Sequence, residues 1–572
     1  MEALWVFPSA EDAAGARLAA SLGVPRRIGE ILWRRGFRSR EQSLAYLEAG
    51  LDQLHDPHLL LGMAAAVARI QAAISNREKI LLYGDYDVDG TSSIVILKST
   101  LDLLGAECDY FVPHRILDGY GMKSERIEQA ARDGVRLIIS ADTGIRAGEV
   151  VALASRLGMD TIVTDHHLPE EAIPPAVAVL NPNQPGCEYP NRNLCGAGVA
   201  FQLASALVTA SGWPGEKQER MRNSLLKMAA LATVADIVPL VAENRAIVKQ
   251  GLAGLAATKN PGLRALMTVA GIKPGVAPTA RQVGFQIGPR INAAGRMASA
   301  REVIELFLSA KPAEAERIAQ TLDERNRERQ DTERAMIEGI LAQVAGDARM
   351  GLVLFDATWH LGVAGIVAGR IAERERKPVV VLAEDEKTGG QLVKGSGRSL
   401  GGYHLLEALE SMRDLFEQFG GHEQAAGVTL RRERVEEFSQ RFAQVAAERL
   451  TPEMRRPRLE IDSLVEAGDV NAALYEALQR FEPFGYRNPA PLLAMRDAEI
   501  AAPPVVLKGK HLKLSVRQNG RMLTLKAWGM AEDWASLAAG DRIDIAFRLE
   551  ADSWDGWAAV VAGLRRSREA IE

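Results

Sequence analysis

The chain has 572 residues, 47% of them hydrophobic and 25% charged, with 51 Gly and 25 Pro, a balance that excludes a disordered or fibrous protein. At about 150 residues per domain, such a length calls for three or four hydrophobic cores. Lys and Arg number 69 against 74 Asp and Glu, a formal charge of -5, which excludes a surface that coats nucleic acid indiscriminately and confines any such site to a local groove.

The N-terminal run MEALWVFPSA has an acidic second residue and no basic segment followed by an apolar core, so it does not read as a secretory signal. The longest apolar stretch, around Gly198 to Trp213, contains Gln202 and falls short of the ~20 residues of a membrane helix. A soluble, unexported, cytoplasmic protein is expected. Cys108, Cys187 and Cys195 cannot all pair and sit in no CxxC or Cys/His cluster, so reduced, buried thiols are expected.

From residue 80 to about 240, the β-branched runs KILLY, CDYFV, LIISA and TIVT alternate with helical stretches such as SSIVILKSTLDLLG and SERIEQAARDG. That alternation predicts βαβ units and a parallel sheet with helices on both faces. The charged stretch from Pro312 to Arg349 has helical periodicity without strand signals, and predicts a connecting helix at a domain boundary. A second α/β region follows, with strand candidates GLVLF, PVVVLA and GGQLV around the helix candidate VAGIVAGRIAER. After the break at Pro452 to Pro457 the pattern changes to alternating strands, and Asn519-Gly520 is a strong hairpin turn. The C-terminal region is expected to be a small β-barrel.

The chemistry is concentrated in the run Tyr83-Gly84-Asp85-Tyr86-Asp87-Val88-Asp89-Gly90-Thr91, where three carboxylates two residues apart follow an apolar strand. Such a cluster repels itself unless cations neutralise it. A calcium-binding EF-hand loop also begins DxDxDG, but its twelfth position must be a bidentate Glu, and here it is Ile96. An aspartyl nucleophile within Asp87-x-Asp89-x-Thr91 and a solvated turn are the other readings of this run alone. The later segments weigh against both: LIISADTG ends near Asp142, TIVTDHH carries Asp165, His166 and His167, and LATVADIVP contributes Asp236. Residues just past the carboxyl ends of parallel strands converge on one crevice. Asp oxygens with one or two His nitrogens suit Mn²⁺ or Mg²⁺ better than zinc, and the count suffices for two ions.

The DYDVDG run, the ADTG segment, the Asp-His-His triplet and the ATVAD segment resemble the four ordered metal-binding motifs of the DHH phosphoesterases. The likeness to the RecJ-type branch of that family extends through GPRINAAGR (288–296), GSGRS (395–399) and FGGHEQAAG (419–427). The resemblance implies a first ion held by Asp87 and Asp142, a second held by Asp89, Asp142, His166 and Asp236, and Asp142 bridging the two. Where many members carry a His, this chain has Tyr83, and Asp85 or water is the candidate to complete that shell. His167 is implied to face the scissile phosphate. The implied activity is two-metal hydrolysis of single-stranded DNA from its 5′ end, in recombination and repair.

By the same resemblance, residues 1–50 form an N-terminal segment, 51–310 a DHH catalytic domain, 311–349 the connecting helix, 350–450 a DHHA1 domain, and 451–572 an oligonucleotide-binding (OB) barrel. Ser396, Gly397 and Arg398, with Gly420, Gly421 and His422, are implied to offer backbone N–H groups and basic side chains to phosphate; each Gly-rich stretch alone is more often a turn. Arg115, Arg290, Asn292 and Arg296 with Arg398 are candidates for the terminal 5′-phosphate, because guanidinium forks bind phosphate bidentately. His360 lines the cleft or packs in the core. On the barrel, Lys508, Lys510, His511, Lys513, Arg517 and Trp528 are candidates to track a strand. The implied partners of a monomer are single-stranded DNA, a single-strand-binding protein and a helicase. Shorter relatives that hydrolyse cyclic dinucleotides, very short RNA or adenosine phosphosulfates form a competing class, which the barrel disfavours. A catalytically inert binding scaffold is disfavoured by the complete set of acids and imidazoles.

Overall fold

A computed structural model of the chain describes residues 3–8, 13–115, 118–119, 121–297 and 299–567. The first α/β unit is a five-stranded parallel sheet of β1 (Lys79–Gly84), β2 (Cys108–Phe111), β3 (Val135–Ala141), β4 (Asp160–Thr164) and β5 (Ala178–Leu180), in the order β2-β1-β3-β4-β5. Alternation along β1 sends Ile80 and Leu82 into one apolar cluster and Leu81 and Tyr83 into another. Both faces are therefore covered, as a parallel sheet requires. The short β5 has no clear sequence signal. Helices α1 (Val88–Leu103), α2 (Gly196–Ala210) and α3 (Gly215–Ala235) pack over the first face, and the apolar stretch noted above is α2, buried in this core. The GPRINAAGR segment forms α4 (Gly288–Met297).

The expected connecting helix is α5, Pro312–Val344, of 33 residues, roughly 50 Å long at 1.5 Å per residue. Its first half (Ala315, Ile318, Leu322) belongs to the core of the first unit, and its second half (Met336, Ile340, Val344) to that of the next. The second unit is a mixed sheet of β6 (Leu352–Phe355), β7 (Val379–Glu384), β8 (Leu392–Arg398), β9 (Phe416–Gly421) and β10 (Ala425–Arg431), ordered β9-β10-β8-β7-β6. Helix α6 (Leu361–Glu375) lies against β7 and β8.

The C-terminal unit is a barrel of β11 (Leu493–Leu507), β12 (His511–Gln518), β13 (Arg521–Ala527), β14 (Arg542–Asp552) and β15 (Gly556–Arg566), closed by pairing of β14 with β11 and with a parallel β13–β15 contact. At the predicted hairpin, Asn519 and Gly520 have φ of 49° and 72°, the left-handed pair that a type I′ turn demands. The N-terminal segment does not stand apart: Leu18, Ile28, Ile31, Leu32 and Leu47 share the barrel's core. No described helix is long and apolar enough to cross a membrane by itself. The three cysteines are unpaired, Cys187 and Cys195 buried and Cys108 partly so.

Candidate active site

The acidic run lies where β1 ends and α1 begins. Asp87 caps α1, its Oδ1 accepting the N–H groups of Asp89 (2.9 Å) and Gly90 (3.0 Å). Asp89, buried in the first turn of α1, accepts N–H bonds from Gly196 (2.6 Å) and Ala197 (2.7 Å) at the start of α2. Two carboxylates are thus held by helix N-termini, whose orphan N–H groups favour negative charge. Asp142 follows β3 with φ of 61°, a left-handed conformation that Asp tolerates better than most residues. A side chain on Gly196 would collide with it, an ideal Cβ falling 2.6 Å from Asp142 Oδ1. Asp236 caps the C-terminal end of α3, so the fourth acid comes from a helix end rather than a strand end.

His166 Nε2 lies 3.3 Å from Asp142 Oδ1 and 3.7 Å from both Asp89 Oδ2 and Asp236 Oδ2. Ligand atoms come within 4.8 Å of one another in three groups: Asp85 with Asp87 and Asp142, Asp89 with His166 and Asp236, and Asp142 with His166 and His167. Asp142 is common to two of them. Tyr83 is turned to the opposite face of the sheet, its hydroxyl accepting the Lys123 N–H at 3.2 Å. Asp85 is therefore the side chain that joins Asp87 and Asp142.

Sequence reasoning missed the scaffold around the imidazoles. Oδ1 of the buried Asp165 accepts the backbone N–H groups of His166 and His167 and lies 2.7 Å from His167 Nδ1. Asn183 and Asn181 donate to the carbonyls of His166 and His167. The Asp-His-His triplet signals Asp165; nothing local signals the two asparagines. Burial alone would lower the His167 pKa, but the Asp165 hydrogen bond and charge raise it. His166 is lowered, chiefly by burial.

The acids fit divalent cations on physical grounds. Asp85 Oδ1 and Asp142 Oδ1 are buried and accept no hydrogen bond. Burial, then the charge of Asp87, pushes Asp85 up to about 8. Asp87 is raised by burial and then by Asp89, and Asp142 and Asp236 by burial and then by Asp89 and Asp87. Hard oxygen donors with one or two imidazole nitrogens suit Mn²⁺ or Mg²⁺.

Beside the acids lies a cationic counterpart. Burial first, then the charges of Arg115, Arg329 and Arg398, pulls Arg296 down to about 10; Arg398 is lowered by burial and by Arg115. Arg296 comes from α4 and donates to the Gly362 carbonyl in α6 at 2.9 Å, so this cluster spans both units. Arg398 donates to Ser396 Oγ at 2.7 Å. Gly365 of α6 passes beneath, an ideal Cβ there lying 3.0 Å from both Arg398 and Ser396 side chains. Arg329, on the connecting helix, carried no sequence signal.

Comparison with known proteins gives the family. Residues 79–233 match the DHH family N-terminal domain, 348–448 the DHHA1 domain and 461–561 the RecJ OB domain. The single-stranded-DNA-specific exonuclease RecJ of Bacillus subtilis is 36% identical over 541 residues, 94% of this chain and 67% of that protein. The chain belongs to the RecJ family. Its relative of the same name from Escherichia coli is 35% identical, with 87% of each chain covered. RecJ from Thermus thermophilus in complex with Mn²⁺ superposes with a TM-score of 0.84 at 31% identity, covering 99% of this chain and 80% of that one. A Mg²⁺ complex of the Thermus protein gives a TM-score of 0.78.

Several expected RecJ-type contacts are placed differently by the structure. Arg290 is held away from the arginine cluster by Asp323 of the connecting helix (2.8 Å) and by the carbonyls of Gln286 and Val269. Asn292 accepts the Val88 N–H at 3.3 Å, bracing α1 beside Asp87. Ser396 and Gly397 lie in β8, between β7 and β10, so their peptide groups are committed to the sheet. The donors left there for a phosphate are those of the Ser396 and Arg398 side chains. Gly420 and Gly421 lie on the sheet-edge strand β9, where outward peptide groups can still serve. His422 lines a cleft of about 790 Å³ with Asp165 and His167. His360 caps α6, its Nδ1 accepting the Gly362 N–H. Trp528 is 51% exposed and edge-on to His511, not a core residue of the barrel.

Proposed function

We propose that this chain is a single-stranded-DNA-specific exonuclease that hydrolyses strands from the 5′ end. The observation that carries the reading is a buried Asp–His cluster set beside Arg115, Arg296 and Arg398, near enough for the charge of Arg115 to act on Asp85 and that of Asp87 on Arg296. A terminal 5′-phosphate at the arginines leaves the next phosphodiester for the acids. Asp85, Asp87 and Asp142 would hold one divalent cation, and Asp89, Asp142, His166 and Asp236 a second. Bound Mn²⁺ or Mg²⁺ supplies the Lewis acidity and charge neutralisation that phosphodiester hydrolysis needs.

The protein's own groups do the rest. Arg398, oriented by Ser396, and Arg115 bind the 5′-phosphate. Asp165 keeps the His167 ring oriented and favours its protonated form, which suits donation of a proton to the departing 3′ oxygen. Hydrolysis between phosphorus and that oxygen leaves a new 5′-phosphate on the shortened strand, the same group the arginines bind. The barrel gives long strands a second hold, and the close approach of α4 to α6 excludes a duplex. An enzyme closed to duplex needs its strand opened by a helicase and exchanges it with a single-strand-binding protein. We place this monomer in the cytoplasm, in recombination and repair.

The test is digestion of 5′- and 3′-labelled oligonucleotides, single- and double-stranded, with and without Mn²⁺. Mn²⁺-dependent release of mononucleotides from the 5′ end of single strands is expected. Release from a free 3′ end while the 5′ end is blocked would reverse the polarity.

A further inference from the structure

Asp89 and Asp236 share an ion site with His166, yet they are held unequally. The Asp89 side chain is 1% exposed and gripped by the N–H groups of Gly196 and Ala197. That of Asp236 is 24% exposed, so its place depends on the backbone that carries it. Directly after it, Ile237 has φ of 58°. A β-branched residue in the left-handed region is strained, and such strain persists where the surroundings over-determine it. Asn244, fully buried in the first turn of the helix Ala242–Leu255, holds the chain just beyond that residue. Its Nδ2 donates to the carbonyl of Pro239 (3.1 Å), three residues after Asp236, and to the carbonyl of Asn193 (2.6 Å), three residues before Gly196. Carbonyl oxygens only accept, so the orientation of the amide is fixed.

The remaining bonds stiffen the same junction. Asn244 Oδ1 accepts Asn191 Nδ2 (2.9 Å), and Asn191 Oδ1 accepts the Asn193 N–H (3.0 Å). The neighbouring Glu243, also buried, accepts Asn191 Nδ2 (3.1 Å) and Gln202 Nε2 of α2 (3.0 Å). A buried amide needs partners for folding alone. What sets Asn244 apart is that both of its donor bonds end on chain segments leading to one ion site: to Asp236 itself, and to the N–H groups that hold Asp89. We propose that Asn244 is a positioning residue for the second cation, fixing Asp236 relative to Asp89. This rests on the reading of Asp89, Asp142, His166 and Asp236 as that ion's ligands. Every ligand remains when Asn244 is lost, so the loss falls on the affinity for the ion and is recovered by raising its concentration.

The experiment is calorimetric titration of the metal-free full chain with Mn²⁺ alone, beside kcat and the half-saturating Mn²⁺ concentration on a 5′-phosphorylated single strand. The proteins are the wild type, Asn244→Ala, Asn191→Ala and Asn260→Ala. Asn260 is the control for stability: it caps another helix of the same domain, accepting the Leu263 N–H and donating to the Phe307 carbonyl. Asn244→Ala should weaken one of two Mn²⁺ binding events by about tenfold to a hundredfold, the range for groups that orient metal ligands, and spare the other. The half-saturating Mn²⁺ concentration should rise by the same factor, with kcat regained at saturation. Asn191→Ala, which removes only the support behind Asn244, should shift the same event by less, and decides the matter if Asn244→Ala does not fold. Asn260→Ala should lower Tm and leave both events unchanged. Unchanged Mn²⁺ binding in the Asn244 and Asn191 variants, an equal weakening in Asn260→Ala, or a loss of kcat that saturating Mn²⁺ does not recover would overturn the proposed role. A wild type that takes up a single Mn²⁺ would instead overturn the two-ion reading, and the role of Asn244 with it.

Discussion

The acidic and basic banks of the site each gather like charges, of opposite sign. On one, Asp85, Asp87, Asp142 and Asp236 are raised by burial and mutual repulsion; on the other, Arg296 and Arg398 are lowered by burial and neighbouring guanidinium groups. Each arrangement is unfavourable alone and relieved by an opposite ion. They differ in how they are held. The acids are fixed by backbone of their own domain, through the N-termini of α1 and α2, whereas the arginines converge only because α4, the connecting helix and β8 meet. The acidic bank is assembled within one domain; the basic bank depends on how two domains dock.

The sharpest way to break this contrast is Asp142→Asn, which keeps the side-chain shape and tolerates the left-handed backbone. Loss of a group shared by two ligand sets should exceed the roughly 10–100-fold typical of supporting residues. Retention of a tenth of wild-type kcat at saturating Mn²⁺, in a protein of unchanged circular dichroism, would remove Asp142 from that role.

Next in size is Arg398→Ala, expected to raise KM for 5′-phosphorylated strands by about tenfold or more, since it removes a charge-assisted, bidentate-capable donor. The gap between phosphorylated and hydroxyl 5′ ends should shrink. An unchanged gap, measured as a ratio of kcat/KM, would move the end-binding site elsewhere.

A smaller effect separates the banks by pH. For the raised carboxylates, protonation stabilises the folded state below their unfolded pKa, about 4, and that contribution is lost as pH rises through the folded values. With Asp85 pushed up to about 8, the Tm of metal-free protein should fall between about pH 4 and pH 8. The gain in Tm on adding Mn²⁺ should grow over the same window. A gain independent of pH would mean the acids are not strained without metal. Inorganic phosphate, in contrast, should raise the Tm of the wild type but not of Arg398→Ala.

The smallest effect concerns the barrel surface. A Lys508→Ala, Lys510→Ala variant should flatten the log–log salt dependence of long-strand binding by about 0.7 per lost phosphate contact, with cleavage of very short strands unchanged. Deleting everything after about residue 455 is a poorer test. The buried Arg245 donates to the carbonyls of Arg480, Phe481 and Glu482, and the Leu240 N–H to that of Tyr486. The deletion would therefore unsettle the segment following Asp236, so the barrel region is not as separable from the catalytic unit as the chain order suggests.

The sequence by itself determined the parallel sheet, the connecting helix, the Asn519-Gly520 hairpin and the acids and imidazoles of the site. Those features rest on local periodicity, turn chemistry and charges too dense to sit unneutralised. Only the tertiary structure decided the rest. Arg290, within the same motif as Arg296, turns to Asp323, while Arg329, from a helix that reads as a mere connector, adds its charge to the cluster. Ser396 and Gly397 proved to be sheet residues, and the first helices of the chain share a core with its last strands. In each case the deciding partner is distant in sequence, and no local pattern records which surface a guanidinium or an apolar face will meet.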